Sequence, residues 1–368
     1  MSTSSSPIPA AQERRRGARF WWLRFWIGAA VVAGIAVALC FTFQLPPVVN
    51  IQRGYRGTAM VMHYDPKALQ AAIPKNQIPE PEPAIDPAGT PSSEAYQNIK
   101  VLNNLDSNEF LRLMAAITNW VEPETGCAGC HAVENMAEDS QYQKLVARRM
   151  IQMTWYINSE WKSHVGATGV TCYTCHRGQP MPAGTWYTEP SAASKGYAAA
   201  SVGENHPSSI AGLSAYASDP LTPFLLNSNT IRVQSTSALP TGDRQSIEQT
   251  NWTYALMIHF AQSLGVSCNY CHNSRAFGQW GQSTPQRVTA WYGIRMVRDL
   301  NGQFLLPLHD TFPRGRLGAL GDSPKINCQT CHQGAYKPFF GASPLVGYPE
   351  LAAPVVAASA PAGNSSGQ

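Results

Sequence analysis

One five-residue pattern occurs four times in the chain, and it constrains the fold more than any other feature. The copies are Cys127-Ala-Gly-Cys130-His131, Cys172-Tyr-Thr-Cys175-His176, Cys268-Asn-Tyr-Cys271-His272 and Cys328-Gln-Thr-Cys331-His332. C-x-x-C-H is the attachment signature of c-type haem. Its two thiols add to the porphyrin vinyl groups, and the adjacent histidine takes one axial position on the iron. A redox-active C-x-x-C has no use for a neighbouring histidine. A zinc site made from paired C-x-x-C motifs would not place one after every copy. The copies use eight of nine cysteines, leaving no pair for a disulfide framework. Four covalently bound haem c groups are therefore expected in 368 residues, room for one large or two modest domains.

Hydrophobic residues make up 44% of the chain and charged ones 14%, which excludes a wholly disordered protein. The net charge of +4 and the lack of a basic stripe exclude nucleic acid as a partner. Five arginines (Arg14, Arg15, Arg16, Arg19, Arg24) precede an uncharged run from Phe25 to Phe43. A span needs about 20 apolar residues, and Trp21, Trp22 and Trp26 suit an interfacial belt. Residues 1–24 are thus expected to be cytoplasmic and 25–43 to be a membrane anchor, with the bulk of the chain exported. A cleaved, lipidated form at Cys40 competes, but Leu39 before it is not small.

The remaining chain divides by composition. Residues 44–92 read as an extended connector, 93–180 as a first haem pair, and 181–243 as a loop-rich connector. Residues 244–348 read as a second haem pair and 349–368 as a disordered tail. Helix starts are expected at Asp106, Ser140, Ser246 and Thr284-Pro285, from their capping patterns. Stops are expected at Gly265 and Asn301-Gly302, and no stretch predicts a sheet. GVTCYTCH and GVSCNYCH link the second and third motifs, and CHRGQPMP and CHQGAYKP link the second and fourth. Together these predict a mainly α fold with extensive loops, built as two pseudo-twofold-related haem-pair units plus one N-terminal transmembrane helix.

Distal ligands decide the chemistry, because methionine raises a haem potential. Met114 lies 13 residues before Cys127 and Met257 lies 11 before Cys268, both on predicted helices. Met150, Met153 and His164 all precede Cys172, more candidates than one haem can use. One of them is therefore available to the fourth haem, whose own upstream helix offers only Met296.

The strings QRGYRGTAM and STPQRVTAWYGIRMVRDLN, with the four motifs and their spacings, resemble the tetrahaem cytochrome subunit of photosynthetic reaction centres of purple bacteria and relatives. The resemblance runs from about Gln52 to Tyr348. It implies three His/Met haems and one bis-His haem. It assigns His131 with Met114, His176 with Met150, His272 with Met257, and His332 with His164. It implies a near-linear haem stack, the third motif nearest the photo-oxidised bacteriochlorophyll pair and the first farthest out. It also implies that Arg287 raises the third haem's potential. The implied function is electron transfer, not enzymatic turnover, with reaction-centre core subunits as partners in the inner photosynthetic membrane. The implied donor is a soluble c-type cytochrome or a high-potential iron–sulfur protein.

From Leu102 to Gln143 there are seven acidic residues against Arg112 alone. Glu122, Glu124, Glu134, Glu138 and Asp139 could form a rim that steers a basic donor. The competing function is a membrane-anchored tetrahaem quinol dehydrogenase, which would use mostly histidine or open distal positions. The helix methionines before the first and third motifs count against it. A multihaem reductase would need an iron with an open site.

Overall fold

The computed structural model describes residues 10–42, 49–53, 60–189, 209–212, 216, 219–233 and 247–354. It divides into Met1–Pro47 and Val48–Gln368. The first unit is helix α1 (Ala10–Thr42). Its segment Phe20–Thr42 is long and apolar enough to cross a membrane, with mean hydropathy 2.2 and its side chains exposed. The apolar segment begins five residues before the expected Phe25, because Phe20 to Leu23 join it and only Arg24 interrupts. The Arg24 guanidinium lies 4.3 Å over the Phe20 ring, one turn back. Phe43 and residues 1–9 lie outside the described residues.

In the second unit the expected extended connector is not simply extended. Strands β1 (Val49–Arg53) and β2 (Met60–Tyr64) pair antiparallel, with Val49 opposite Tyr64. Val49 and Ile51 alternate with polar residues in β1, whereas β2 begins with three apolar residues, Met-Val-Met. Helix α2 (Pro66–Ala72) follows, with Asp65 Oδ1 accepting from the Lys67 and Ala68 amides and Pro66 in the first turn. Asn76 then donates to the Gln333 carbonyl at 3.3 Å, tying this segment to the fourth motif. The short helix α3 (Ser92–Ala95) leads into α4 (Ser107–Val121).

Asp106 caps α4 as expected, accepting from Asn108 N and Glu109 N. Glu109 does not complete a box but pairs with Arg112 at 2.8 Å. Helix α5 (Tyr142–Glu160) starts after Gln141 with no side-chain cap, so the Ser140 signal is not used. One-turn α6 (Lys162–Val165) and α7 (Cys172–His176) follow. Helix α8 (Ile247–Leu264) stops at Gly265, whose φ of +63° and contact with the Gly334 carbonyl leave no space for a side chain. Its expected cap, Ser246, lies outside the described residues. Helix α9 (Pro285–Leu300) begins after Thr284, whose hydroxyl donates to the Tyr270 carbonyl instead of capping. It runs on through a π turn, Asn301–Leu305, past the expected stop. Helix α10 (Cys328–His332) carries the last motif.

Among the described residues β1–β2 is the one sheet, so the fold is mainly α with extensive loops. One apolar core joins Ile157 of α5, Leu256 of α8 and Ile294, Val297 and Leu300 of α9. Leu221, Phe224 and Leu225, expected in a surface loop, are fully buried in it, because Arg298 holds the Phe224 carbonyl. A second core joins Leu113, Ala116 and Trp120 of α4 to Ile151 of α5. Tyr348 and Leu351 complete it, so the chain stays packed two residues past the expected start of the tail at 349. Residues 190–208, 234–246 and 355–368 lie outside the described residues.

Candidate haem-binding site

The motifs take two backbone forms, which alternate along the chain. The first and third are 3-10 turns, Gly126–Gly129 and Cys268–Tyr270. The second and fourth are α-helical, with the buried Thr174 and Thr330 accepting from the Thr171 and Asn327 amides at 3.0 Å. The next residues, Arg177 and Gln333, both adopt left-handed backbone with φ of +51° and +46°. The third motif therefore shares its form with the first, although its flanking string matches the second.

Each motif histidine is held by one carbonyl. His131 Nδ1 donates to Met136 O (3.0 Å) and His272 Nδ1 to Phe277 O (2.9 Å). His176 donates to Gln179 O (2.8 Å) and His332 to Ala335 O (2.9 Å). A carbonyl only accepts, so Nδ1 carries the proton and Nε2 is left as the metal-binding atom. Burial lowers the affinity of His176 and His272 for a second proton and pushes His332 down to about 4, with His164 adding to the effect. Neutral imidazole is the ligating form. Burial also pushes the Cys172 and Cys271 thiols up to about 11 and Cys328 to about 12, so they are uncharged.

Two buried asparagines do matching work. Asn158 exchanges hydrogen bonds with both backbone groups of Val170, and Asn301 does the same with Ile326. Val170 and Ile326 each lie two residues before a motif's first cysteine. The long helices α5 and α9 thereby set the position of the motif that follows each.

A single cavity of about 930 Å³ is lined by the second, third and fourth motifs and by Met150, Met257, His164 and Arg287. Met153 and Met296 also reach it. Thr171 Oγ1, Ser267 Oγ and Gln286 Oε1 are buried, unpartnered and belong to cavity-lining residues. His164 and His332 face one another with ring centroids 6.1 Å apart and planes at 69°. Two imidazoles across one metal, each nitrogen about 2 Å from it, put their centroids about 6 Å apart. His164 Nδ1 donates to Thr289 O at 2.9 Å, leaving its Nε2 free as well. The residues present therefore fit the group that the motifs imply. The first motif and Met114 do not line this cavity; Cys127 is exposed, and Met114 packs into the α4 core.

Arg287 stands beside His272. Its Nη1 donates to Phe277 O at 3.3 Å, the carbonyl that His272 uses, and to Ser283 Oγ at 2.7 Å. Its guanidinium lies 4.2 Å over the Trp280 ring. His259, two residues after Met257, points elsewhere: it bonds Ile210 O and Ser263, and burial pushes it down to about 4.

One expectation needs correction. Six motif cysteines are free thiols, but Cys175 and Cys331 are joined as a disulfide. The motif helices α7 and α10 meet there with Cα atoms 4.5 Å apart, which spacing along the sequence does not reveal. One exposed member of the acidic rim is already paired. Asp139 is clamped by Arg148 (2.8 Å) and Lys144 (3.2 Å), cations that lie just past the acidic stretch and fold back on it, and it accepts from the Asn98 amide (2.9 Å). Glu124, Glu134 and Glu138 stay exposed; Glu122 is half-buried and accepts from Thr125.

Thr289 and Gly293 escaped notice in the sequence, as did Asn158 and Asn301. Laying α5 over α9 from their first residues would have found the asparagines: Gln143/Gln286, Ala147/Ala290, Ile151/Ile294, Met153/Met296 and Asn158/Asn301 coincide, whereas Thr289 and Gly293 fall on Val146 and Met150.

Residues 44–352 match the family described as photosynthetic reaction centre cytochrome C subunit. The chain is 49% identical over 338 residues to the photosynthetic reaction center cytochrome c subunit of Rubrivivax gelatinosus, covering 91% of this chain and 92% of that one. It is 43% identical to that of Thermochromatium tepidum (91% and 82% covered) and 38% identical to that of Roseobacter denitrificans (89% and 92%). The chain belongs to the photosynthetic reaction centre cytochrome c subunits, electron-transfer components rather than enzymes.

Proposed function

We propose that the chain is a four-haem electron relay on the periplasmic face of the photosynthetic membrane. It accepts electrons from a soluble c-type cytochrome or high-potential iron–sulfur protein. It returns them to the photo-oxidised bacteriochlorophyll pair carried by the reaction-centre core subunits. The observation that carries this is the His164–His332 pair, two imidazoles facing across a cavity lined by three attachment motifs.

Haem c, when bound, supplies a one-electron iron couple at each site. The four cysteine pairs of the motifs hold it by thioethers, which at Cys175 and Cys331 excludes the disulfide between them. His131, His176, His272 and His332 would hold the iron, each kept from rotating by its Nδ1 hydrogen bond. Met114, Met150 and Met257 would help hold haem at the first three sites, where their soft sulfur would favour reduced iron and a high potential. His164, facing His332, would make that site bis-His. Arg287 disfavours the added charge of the oxidised third site. The alternating motif forms and the Asn158/Asn301 match support two pseudo-twofold-related pairs.

Helix α1 anchors the chain as a retained span, with the arginine-rich end cytoplasmic. Near the first motif, Glu124, Glu134 and Glu138 alternate with exposed Val133 and Met136, a surface that suits donor docking. Near the third, exposed Phe277, Trp280 and Trp291 suit a protein interface with the core subunits.

Flash spectroscopy on native membranes tests the proposal. Haem oxidation should track recovery of the bacteriochlorophyll bleach. Haems that ignore the flash but become reduced on adding quinol would sink it.

A further inference from the structure

We propose that α9 is the positioning element for the distal histidine of the fourth site. Gly293 is the notch that seats the His164 imidazole, and the Thr289 carbonyl selects the nitrogen it presents to His332. The inference rests on the assignment of His164 as that distal ligand, proposed above.

A Cβ built on Gly293 would lie 2.5 Å from His164 Cε1, 2.9 Å from Nδ1 and 3.2 Å from Nε2. No real side chain tolerates the first of these. Gly293 sits mid-helix and is not among the glycines with positive φ, so its backbone makes no demand for glycine. Glycine there weakens α9 relative to alanine. What it provides is space.

Thr289 lies one turn before Gly293 on the same helix face. Its carbonyl takes the His164 Nδ1 proton at 2.9 Å. Helix α6, which carries His164, is one turn long and cannot fix a ring by itself. The ring is therefore held from α9 at two points, a hydrogen bond and a steric seat. Two points fix the ring plane as well as the nitrogen, and the plane stands at 69° to that of His332.

The matching helix shows what the notch replaces. Ninth in α5 is Met150; ninth in α9 is Gly293. Met153 and Met296 coincide, but where α5 carries the sulfur of Met150, α9 offers room for a ligand from another helix.

The test compares Gly293→Ala, His164→Ala and the double variant in the full chain within its complex. The readouts are the ferric electron paramagnetic resonance spectrum, the four haem midpoints and the thermal unfolding midpoint. The largest g value of a low-spin bis-imidazole haem depends on the angle between its ring planes. Gly293→Ala should shift that g value and the midpoint of the fourth haem alone. In the His164→Ala background the same change should leave the unfolding midpoint equal or higher, because the clash is gone. An unchanged fourth haem in Gly293→Ala, with four haems bound, overturns the seat. So does a double variant as destabilised as the two single changes combined. If Gly293→Ala fails to assemble, restored assembly in the double variant supports the seat, and continued failure overturns it. His164→Ala with an unaltered fourth haem refutes the ligand assignment instead, and the inference falls with it.

Discussion

Helices α5 and α9 perform one task with two outcomes. Each follows the first motif of a pair, and each ends near a buried asparagine that holds the next motif. Third in each is a cation that bonds the carbonyl used by the preceding motif histidine. Lys144 Nζ reaches Met136 O at 2.9 Å, and Arg287 Nη1 reaches Phe277 O at 3.3 Å. The charges then diverge. Lys144 pairs with Asp139, whereas no carboxylate pairs with Arg287 among the described residues. Conserving the scaffold while changing a ligand position and one counter-ion lets similar sites hold different potentials. An uncompensated cation should raise the potential of a haem at the third site, and a neutralised one should leave the first lower.

The largest effect should come from the shared scaffold. Asn158→Leu or Asn301→Leu strands both backbone groups of Val170 or Ile326 in a buried place. Each should cost about 3 kcal/mol, the scale for orphaned buried hydrogen-bonding groups. Thermal unfolding and haem content per chain measure it. Losses of similar size uphold the comparison; a harmless change at one asparagine breaks it.

Next come the ligand positions. Met150→Leu and Met257→Leu should each lower one haem's midpoint by on the order of 100 mV, a fraction of the range axial ligands span. Redox titration of each variant, read haem by haem, decides. A Met150→Leu variant with all four midpoints unchanged would hand that role to Met153, three residues on.

The motifs were legible because covalent attachment fixes their sequence, whereas helical spacing left Met150, Met153 and His164 open and the resemblance alone chose among them. The membrane helix showed itself by composition alone. What stayed hidden depends on chain reversals. The hairpin at 49–64 has strands of five residues, too short for a clear alternation. Phe224 and Leu225 are held in the core where Arg298 and Asn301 grip their carbonyls from a distant helix, and Leu221 is buried with them. Cys175 and Cys331 are 156 residues apart in sequence and meet only where α7 packs on α10. Gly293 reads as a weak point in a helix until the ring it accommodates is in view.

Arg287→Gln should act more gently than the ligand changes. Removing one cation beside His272 should lower the third haem's midpoint by tens of mV at the effective dielectric of a partly exposed site. The second and fourth midpoints should hold. A drop in all four would mean a general loss of structure rather than a local charge effect.

Asp139→Asn should have the smallest effect and bears most directly on the difference between α5 and α9. The Arg148 hydrogen bond, with help from Asn98 and Lys144, holds this carboxyl well below the usual carboxylate range. A depressed folded value means that its stabilisation is present above about pH 4 and lost as pH falls toward the folded value. Its side chain is 36% exposed, so screening keeps the contribution under about 1 kcal/mol. The variant should therefore lose a little stability at neutral pH and none in strong acid. Freeing Lys144 from its counter-ion should raise the first haem's midpoint, opposite in sign to Arg287→Gln at the third. Donor binding should barely change, because the Asp139 charge is already spent on Lys144 and Arg148, whereas Glu134→Lys should slow it at low salt. A first midpoint that stays put would show that the cation–carbonyl–imidazole arrangement tunes one pair and not the other.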